Sequence, residues 1–162
     1  MRIFKYILMI AFFTYSCAEK DFDPSNPQSS FQIAKEPYDD EYYDIAITKL
    51  EEFKARFPYS IYAGESQLLI ANSYFELDQY LESANAYEQF VRLYPKHNKI
   101  DFVLFRIGLS YWQDAPEAID REQELTRTAL NKWQILIDKY PNSSYSETAR
   151  KYVDLGNKRL VE

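Results

Sequence analysis

A proline-marked turn recurs three times in this chain, and its neighbours recur with it. The copies are Phe57-Pro58-Tyr59-Ser60, Tyr94-Pro95-Lys96-His97 and Tyr140-Pro141-Asn142-Ser143. A proline has no backbone N–H and disfavours helical geometry at the residue before it, so each copy ends a helix. Twelve, eight and five residues before each proline stand Ala46, Leu50 and Phe53, then Ser83, Tyr87 and Phe90, then Ala129, Trp133 and Leu136. Steps of four and three keep each trio on one helical stripe, small then large then large. Thirteen and sixteen residues after the prolines come Ala71 and Tyr74, Gly108 and Tyr111, and Asp154 and Asn157. Gly108 falls where two helices need to approach closely.

The prolines lie 37 and then 46 residues apart. A tetratricopeptide unit is a helix–turn–helix of about 34 residues with a small-then-aromatic pattern and a closing proline. The first spacing is one unit with a slightly longer turn. The second adds a loop around Ala115-Pro116-Glu117. The expected fold is therefore all-α, an α-α superhelix of about three tetratricopeptide-like hairpins plus one extra helix. An ordinary helical bundle with proline-marked turns is the alternative architecture. The first helix should be short, with Phe31, Ile33 and Ala34 on it and Pro37 as its limit. Its partner, over about residues 41–57, should turn Ile45, Ala46, Leu50 and Phe53 inward. Helices over about 62–77, 121–140 and 145–160 are also expected, the last carrying Tyr152 and Leu155.

Residues 1–16 read as an export signal preceding the fold. Arg2 and Lys5 make a positive start, residues 7–13 a short apolar run, and Ser16 a small residue before Cys17. Such a run is too short to span a membrane and has the layout of a secretory signal. Cys17, the only cysteine, sits where a bacterial lipoprotein signal places its acylated residue, although Thr14-Tyr15-Ser16 departs from the usual preference for Leu three residues earlier. Two or more acyl chains there would suffice for stable anchoring. Residues 17–30 would form a flexible tether and residues 31–162 the repeat domain. A lone cysteine allows no intramolecular disulfide.

The formal net charge is −6, and it becomes about −8 once Arg2 and Lys5 leave with the signal. Such a balance argues against nucleic acid and against an electrostatic hold on anionic lipid, leaving membrane attachment to the acyl chains. Catalysis finds little support. The single histidine, His97, lies in a turn, the three glycines form no phosphate-cradling cluster, and no second His or Cys makes a zinc site with Cys17 lipidated. No catalytic residue, metal or cofactor is expected.

Binding is the better-supported chemistry. On the first helix of each hairpin, the residues three before, one after and four after the small position share a face turned away from the partner helix. These are Phe31, Lys35 and Tyr38; Leu68, Asn72 and Phe75; Phe105, Leu109 and Trp112; and Lys151, Leu155 and Lys158. Phe31, Tyr38, Leu68, Asn72, Phe75, Phe105, Leu109 and Trp112 are the candidate peptide-binding residues of a concave face. A face rich in aromatic residues marks an interaction surface, unless those residues pack on neighbouring helices instead.

The run Arg92-Leu93-Tyr94-Pro95-Lys96-His97-Asn98-Lys99-Ile100-Asp101-Phe102, continuing to Gly108-Leu109, resembles the junction of the second and third repeats in the BamD-like family. That family comprises lipoprotein subunits of the β-barrel assembly machinery in the bacterial outer membrane. Ile119-Asp120-Arg121 resembles its loop before the third-repeat helix, without the Gly-Phe-Phe that often precedes it, and Tyr140-Pro141-Asn142-Ser143-Ser144-Tyr145 resembles the start of its fourth repeat. The resemblance implies five repeats in the family, of which this chain would span three and the first helix of a fourth. It further implies a lipid-anchored, periplasm-facing scaffold at the outer membrane whose N-terminal repeats bind unfolded outer-membrane protein segments, with BamA-type β-barrel assembly subunits as partners. A soluble periplasmic tetratricopeptide adaptor of the Tol–Pal type is the alternative, and acylation of Cys17 separates the two.

Overall fold

The computed structural model describes residues 25–116 and 123–161, and these form seven helices. They are α1 (Pro27–Asp39), α2 (Tyr43–Arg56), α3 (Ala63–Glu76), α4 (Tyr80–Leu93), α5 (Ile100–Asp114), α6 (Glu124–Lys139) and α7 (Ser144–Arg159). Each packs on the next, as short connections between antiparallel helices require. Among first helices, α1 also contacts α3 and α5 contacts α7, whereas α3 and α5 make no comparable contact. The signal region, Cys17 and Ile119-Asp120-Arg121 lie outside the described residues.

The three proline turns are geometric copies. Phe57, Tyr94 and Tyr140 have φ of −127°, −128° and −132° with ψ of 58°, 55° and 57°, the non-helical backbone that a following proline imposes. Each donates its N–H back to the carbonyl of Phe53, Phe90 or Leu136 at 2.8 Å, closing the last helical turn. Two residues after each proline, a side chain accepts the N–H two positions further on. Ser60 Oγ accepts from Tyr62, His97 Nδ1 from Lys99 and Ser143 Oγ from Tyr145, each at 3.2 Å. The lone histidine does in the second turn what serine does in the others, with its ring edge against Phe90 at 5.0 Å.

All three inward trios are buried: Ala46, Leu50 and Phe53; Ser83, Tyr87 and Phe90; Ala129, Trp133 and Leu136. Burying each large apolar member is worth roughly 1.5–3 kcal/mol. Gly108 is the close approach that its position suggests. A Cβ there would stand 2.6 Å from Cε2 of Trp133, whose Nε1–H donates to the Phe105 carbonyl at 3.1 Å. Tyr74 and Tyr111, at corresponding places in α3 and α5, are both half-buried against the core. Asp154 and Asn157 occupy those places on α7 but are exposed, because no described helix packs on that side.

Several expectations are corrected. The first helix begins at Pro27, inside the expected tether, because Asn26 Oδ1 caps it by accepting the Gln28 N–H at 2.9 Å. Pro37 does not end it but lies in its last turn, where few backbone hydrogen bonds remain to lose. Ile45 is exposed, since one residue of rotation from the buried Ala46 carries it off the inward stripe. Leu155 is exposed, as its place on the face turned away from the partner helix implies, beside Gly156, which is buried where any side chain would press on Leu130 and Trp112.

Candidate functional site

The candidate binding face is built from the first helices of the hairpins, and its residues divide into three groups. Phe31 is packed away from it, and Leu68 is largely buried, reaching only the wall of a groove between α3 and α5. Each is at most 4% exposed, and Phe31 stacks on Tyr62 with ring centres 5.0 Å apart and meets Phe53 at 5.5 Å. Phe31 thus packs against α2 and the turn before α3, away from a trough. Leu109 is half-buried against the core.

Tyr38, Asn72 and Phe75 are brought together in a hydrogen-bonded chain that crosses the repeats. Asn72 Nδ2 donates to Tyr38 Oη at 3.3 Å, the Tyr87 hydroxyl donates to Asn72 Oδ1, and Arg106 Nε donates to Tyr87 Oη at 2.9 Å. The Arg106 guanidinium lies 3.8 Å from the centre of the Phe75 ring, a cation–π contact, and 3.8 Å from a carboxylate oxygen of Glu76. Burial pushes the Tyr87 hydroxyl up to about 12, with the Arg106 charge opposing the shift. The aromatic positions were legible in the sequence. Arg106 was not, since nothing in the spacing shows that a basic residue on α5 reaches back to α4 and α3.

Phe105 and Trp112 join a second cluster with Trp133, Tyr145 and Tyr152. Phe105 stacks on Tyr145 at 5.5 Å, Trp112 meets Tyr152 edge-on at 5.8 Å, and Tyr152 stacks on Trp133 at 4.6 Å. The Arg159 guanidinium lies 5.0 Å from the Trp112 ring centre. Much of this aromatic surface is therefore spent on internal packing between α5, α6 and α7.

Between the two clusters α3 and α5 part, leaving a groove of about 310 Å³ lined by Leu68, Leu69, Asn72, Phe102 and Tyr145, with Glu65 and Lys99 at its rim. Lys99 Nζ and Glu65 Oε2 span that rim at 3.4 Å. Phe102 and Tyr145, ring centres 5.6 Å apart, were missed because the expected face was projected from one helix at a time. Asp101 ties the next turn to α5 by accepting a hydrogen bond from the Ser143 hydroxyl at 2.6 Å, which gives the junction residue an architectural role. Among the described residues no cluster of three or more His, Cys, Asp or Glu side chains could hold a metal ion.

Comparison with known proteins accords with this geometry. The first tetratricopeptide domain of Spaghetti (RPAP3), bound to the HSP90 peptide SRMEEVD, superposes with a TM-score of 0.62 at 14% identity, covering 86% of this chain and 97% of that one. The shared feature is the fold. Among curated relatives, the outer membrane protein assembly factor BamD of Vibrio cholerae serotype O1 is 32% identical over 126 residues, which are 72% of this chain and 52% of the relative. BamD of Pasteurella multocida is 25% identical over 159 residues, 92% of this chain and 61% of the relative. BamD of Neisseria gonorrhoeae is 28% identical over 148 residues, 84% and 55% respectively. The chain thus spans about half to three-fifths of the length of these relatives. A family model described as YfiO: Outer membrane lipoprotein matches residues 24–162, and the chain belongs to that family.

Proposed function

We propose that this chain serves in the assembly of outer-membrane proteins, as a periplasm-facing scaffold anchored to the outer membrane by acyl chains on Cys17. In this reading unfolded segments of outer-membrane proteins bind along the concave face, and BamA-type β-barrel assembly subunits are the partners. The observation that carries the binding role is the groove between α3 and α5, whose apolar walls are Leu68, Leu69, Phe102 and Tyr145. An extended peptide laid there can seat one apolar side chain among Leu69, Phe102 and Tyr145 and place its backbone near Asn72. Family membership supports the cellular role, since the curated relatives are outer membrane protein assembly factors.

Fluorescence anisotropy with a labelled C-terminal β-strand peptide of an outer-membrane barrel tests the binding site. Phe102→Asn should weaken binding roughly tenfold or more, as loss of a buried aromatic anchor does, with helicity retained. Unchanged affinity in a folded variant would remove the groove as the site. Labelled palmitate should be incorporated by the wild type and not by Cys17→Ala. Its absence from the wild type would remove the anchor.

A further inference from the structure

We propose that the edge of the molecule bearing the proline turns rests on an anionic lipid surface. Helices that run back and forth have two edges. One carries the proline turns after α2, α4 and α6; the other carries the connections within the hairpins. The start of α1 belongs to the first edge, since Phe31 stacks on Tyr62 and Ser30 lies by Arg56 and Phe57. Residues 25 and 26, just before α1, therefore lie on the side of the proline turns.

Charge is segregated between these edges. The turn segments 56–62, 92–99 and 138–144 hold Arg56, Arg92, Lys96, Lys99 and Lys139 against a single acid, Asp138, with Arg92 also 3.9 Å from Glu88 on α4. The adjoining first turns of α3, α5 and α7 add Glu65, Asp101 and Glu147, which are engaged by Lys99, Ser143 and Lys151. The opposite edge holds Asp39, Asp40, Glu41 and Asp44 at the first connection and Glu76, Asp78 and Glu82 at the second. Helix dipoles explain only part of this pattern. They favour cations at helix C-termini, a rule α7 follows on this edge with Lys158 and Arg159, yet α1, α3 and α5 end in Asp39, Glu76 and Asp114 with no basic residue in the last turn. At α1, α3 and α5 the acidic edge therefore goes against local helix electrostatics.

The basic edge also exposes apolar groups that solvation does not call for. Tyr59 is 100% exposed and Ile61 88%, against 60% for Tyr42 and 41% for Leu81 on the opposite edge. Aromatic and aliphatic side chains beside Lys and Arg suit the headgroup boundary of a bilayer containing anionic phospholipid. The net acidity of the chain does not describe this edge. The opposite edge would be repelled, so the two together orient the concave groove relative to the membrane.

This orientation rests on the proposed membrane location, but its test does not depend on acylation. In the full chain with Cys17→Ser, a single cysteine is introduced by Ile61→Cys or, on the acidic edge, by Leu81→Cys, and is labelled with an environment-sensitive fluorophore. Vesicles of phosphatidylethanolamine and phosphatidylglycerol should brighten and blue-shift the probe at position 61 and leave that at 81 unchanged, whatever else holds the chain to the vesicle. Arg92→Gln with Lys96→Gln should raise the vesicle concentration for half-response at 61 about tenfold. No response at 61, equal responses at 61 and 81, or an undiminished response with phosphatidylcholine alone would overturn the proposal. Failure of palmitate labelling with the probe result intact would instead remove only the acyl anchor.

Discussion

His97 and Tyr87 show how one side chain takes its meaning from its repeat. As the acceptor for the Lys99 N–H, His97 matches Ser60 and Ser143. His97→Ser should therefore keep most of the stability that His97→Ala loses, with a difference of about 1 kcal/mol read by thermal melting. Tyr87 is buried with its hydroxyl between Asn72 and Arg106, and burial raises it from 10.0 to about 12. A raised phenol binds its proton more tightly in the folded than in the unfolded chain. Its stabilisation is thus complete below pH 10 and lost as pH rises through about 12, a loss of order 2–3 kcal/mol. Thermal melts between pH 8 and 12 should show a shallower alkaline decline for Tyr87→Phe, from a lower neutral-pH stability because Arg106 and Asn72 lose a partner.

At the scale of the element, the connections within hairpins obey a different rule from the proline turns. Glu41 and Asp78 follow α1 and α3 directly and have φ of 63° and 58°, the left-handed backbone that glycine adopts without cost. Neither turn contains glycine, which hid their geometry from sequence reading, although the two residues are spaced as the first two prolines are. Asp is tolerated in this conformation better than Glu. Glu41→Gly should accordingly raise stability by roughly 0.5–1 kcal/mol, more than Asp78→Gly does, in urea melts with an unchanged slope.

For the whole molecule, stability should follow position in the stack. The inner hairpins have packed neighbours on both sides, whereas α1 and α7 have neighbours on one side among the described residues. In a structure held by nearest-neighbour interfaces the ends open first. Hydrogen exchange should be slowest in α4 and α5, where Tyr87, Phe90, Val103 and Ile107 are fully buried, and fastest in α1. Uniform exchange across all seven helices would instead indicate one cooperative unit.

Sequence alone determined the repeat, its three proline turns and the buried trios. These depend on local backbone chemistry and helical period, which act over a few residues. The same short range explains where it failed. Projecting one helix at a time put Phe31 on the open face, whereas packing on Phe53 and Tyr62 buries it. It assigned Phe75 and Trp112 to a ligand, whereas Arg106 and Arg159 from distant points of the chain cover their rings. The groove exists because α3 and α5 part, and the division of charge into two edges exists because antiparallel helices sort alternate turns to opposite sides. Both are properties of how helices are set against one another, so only the tertiary structure decided them.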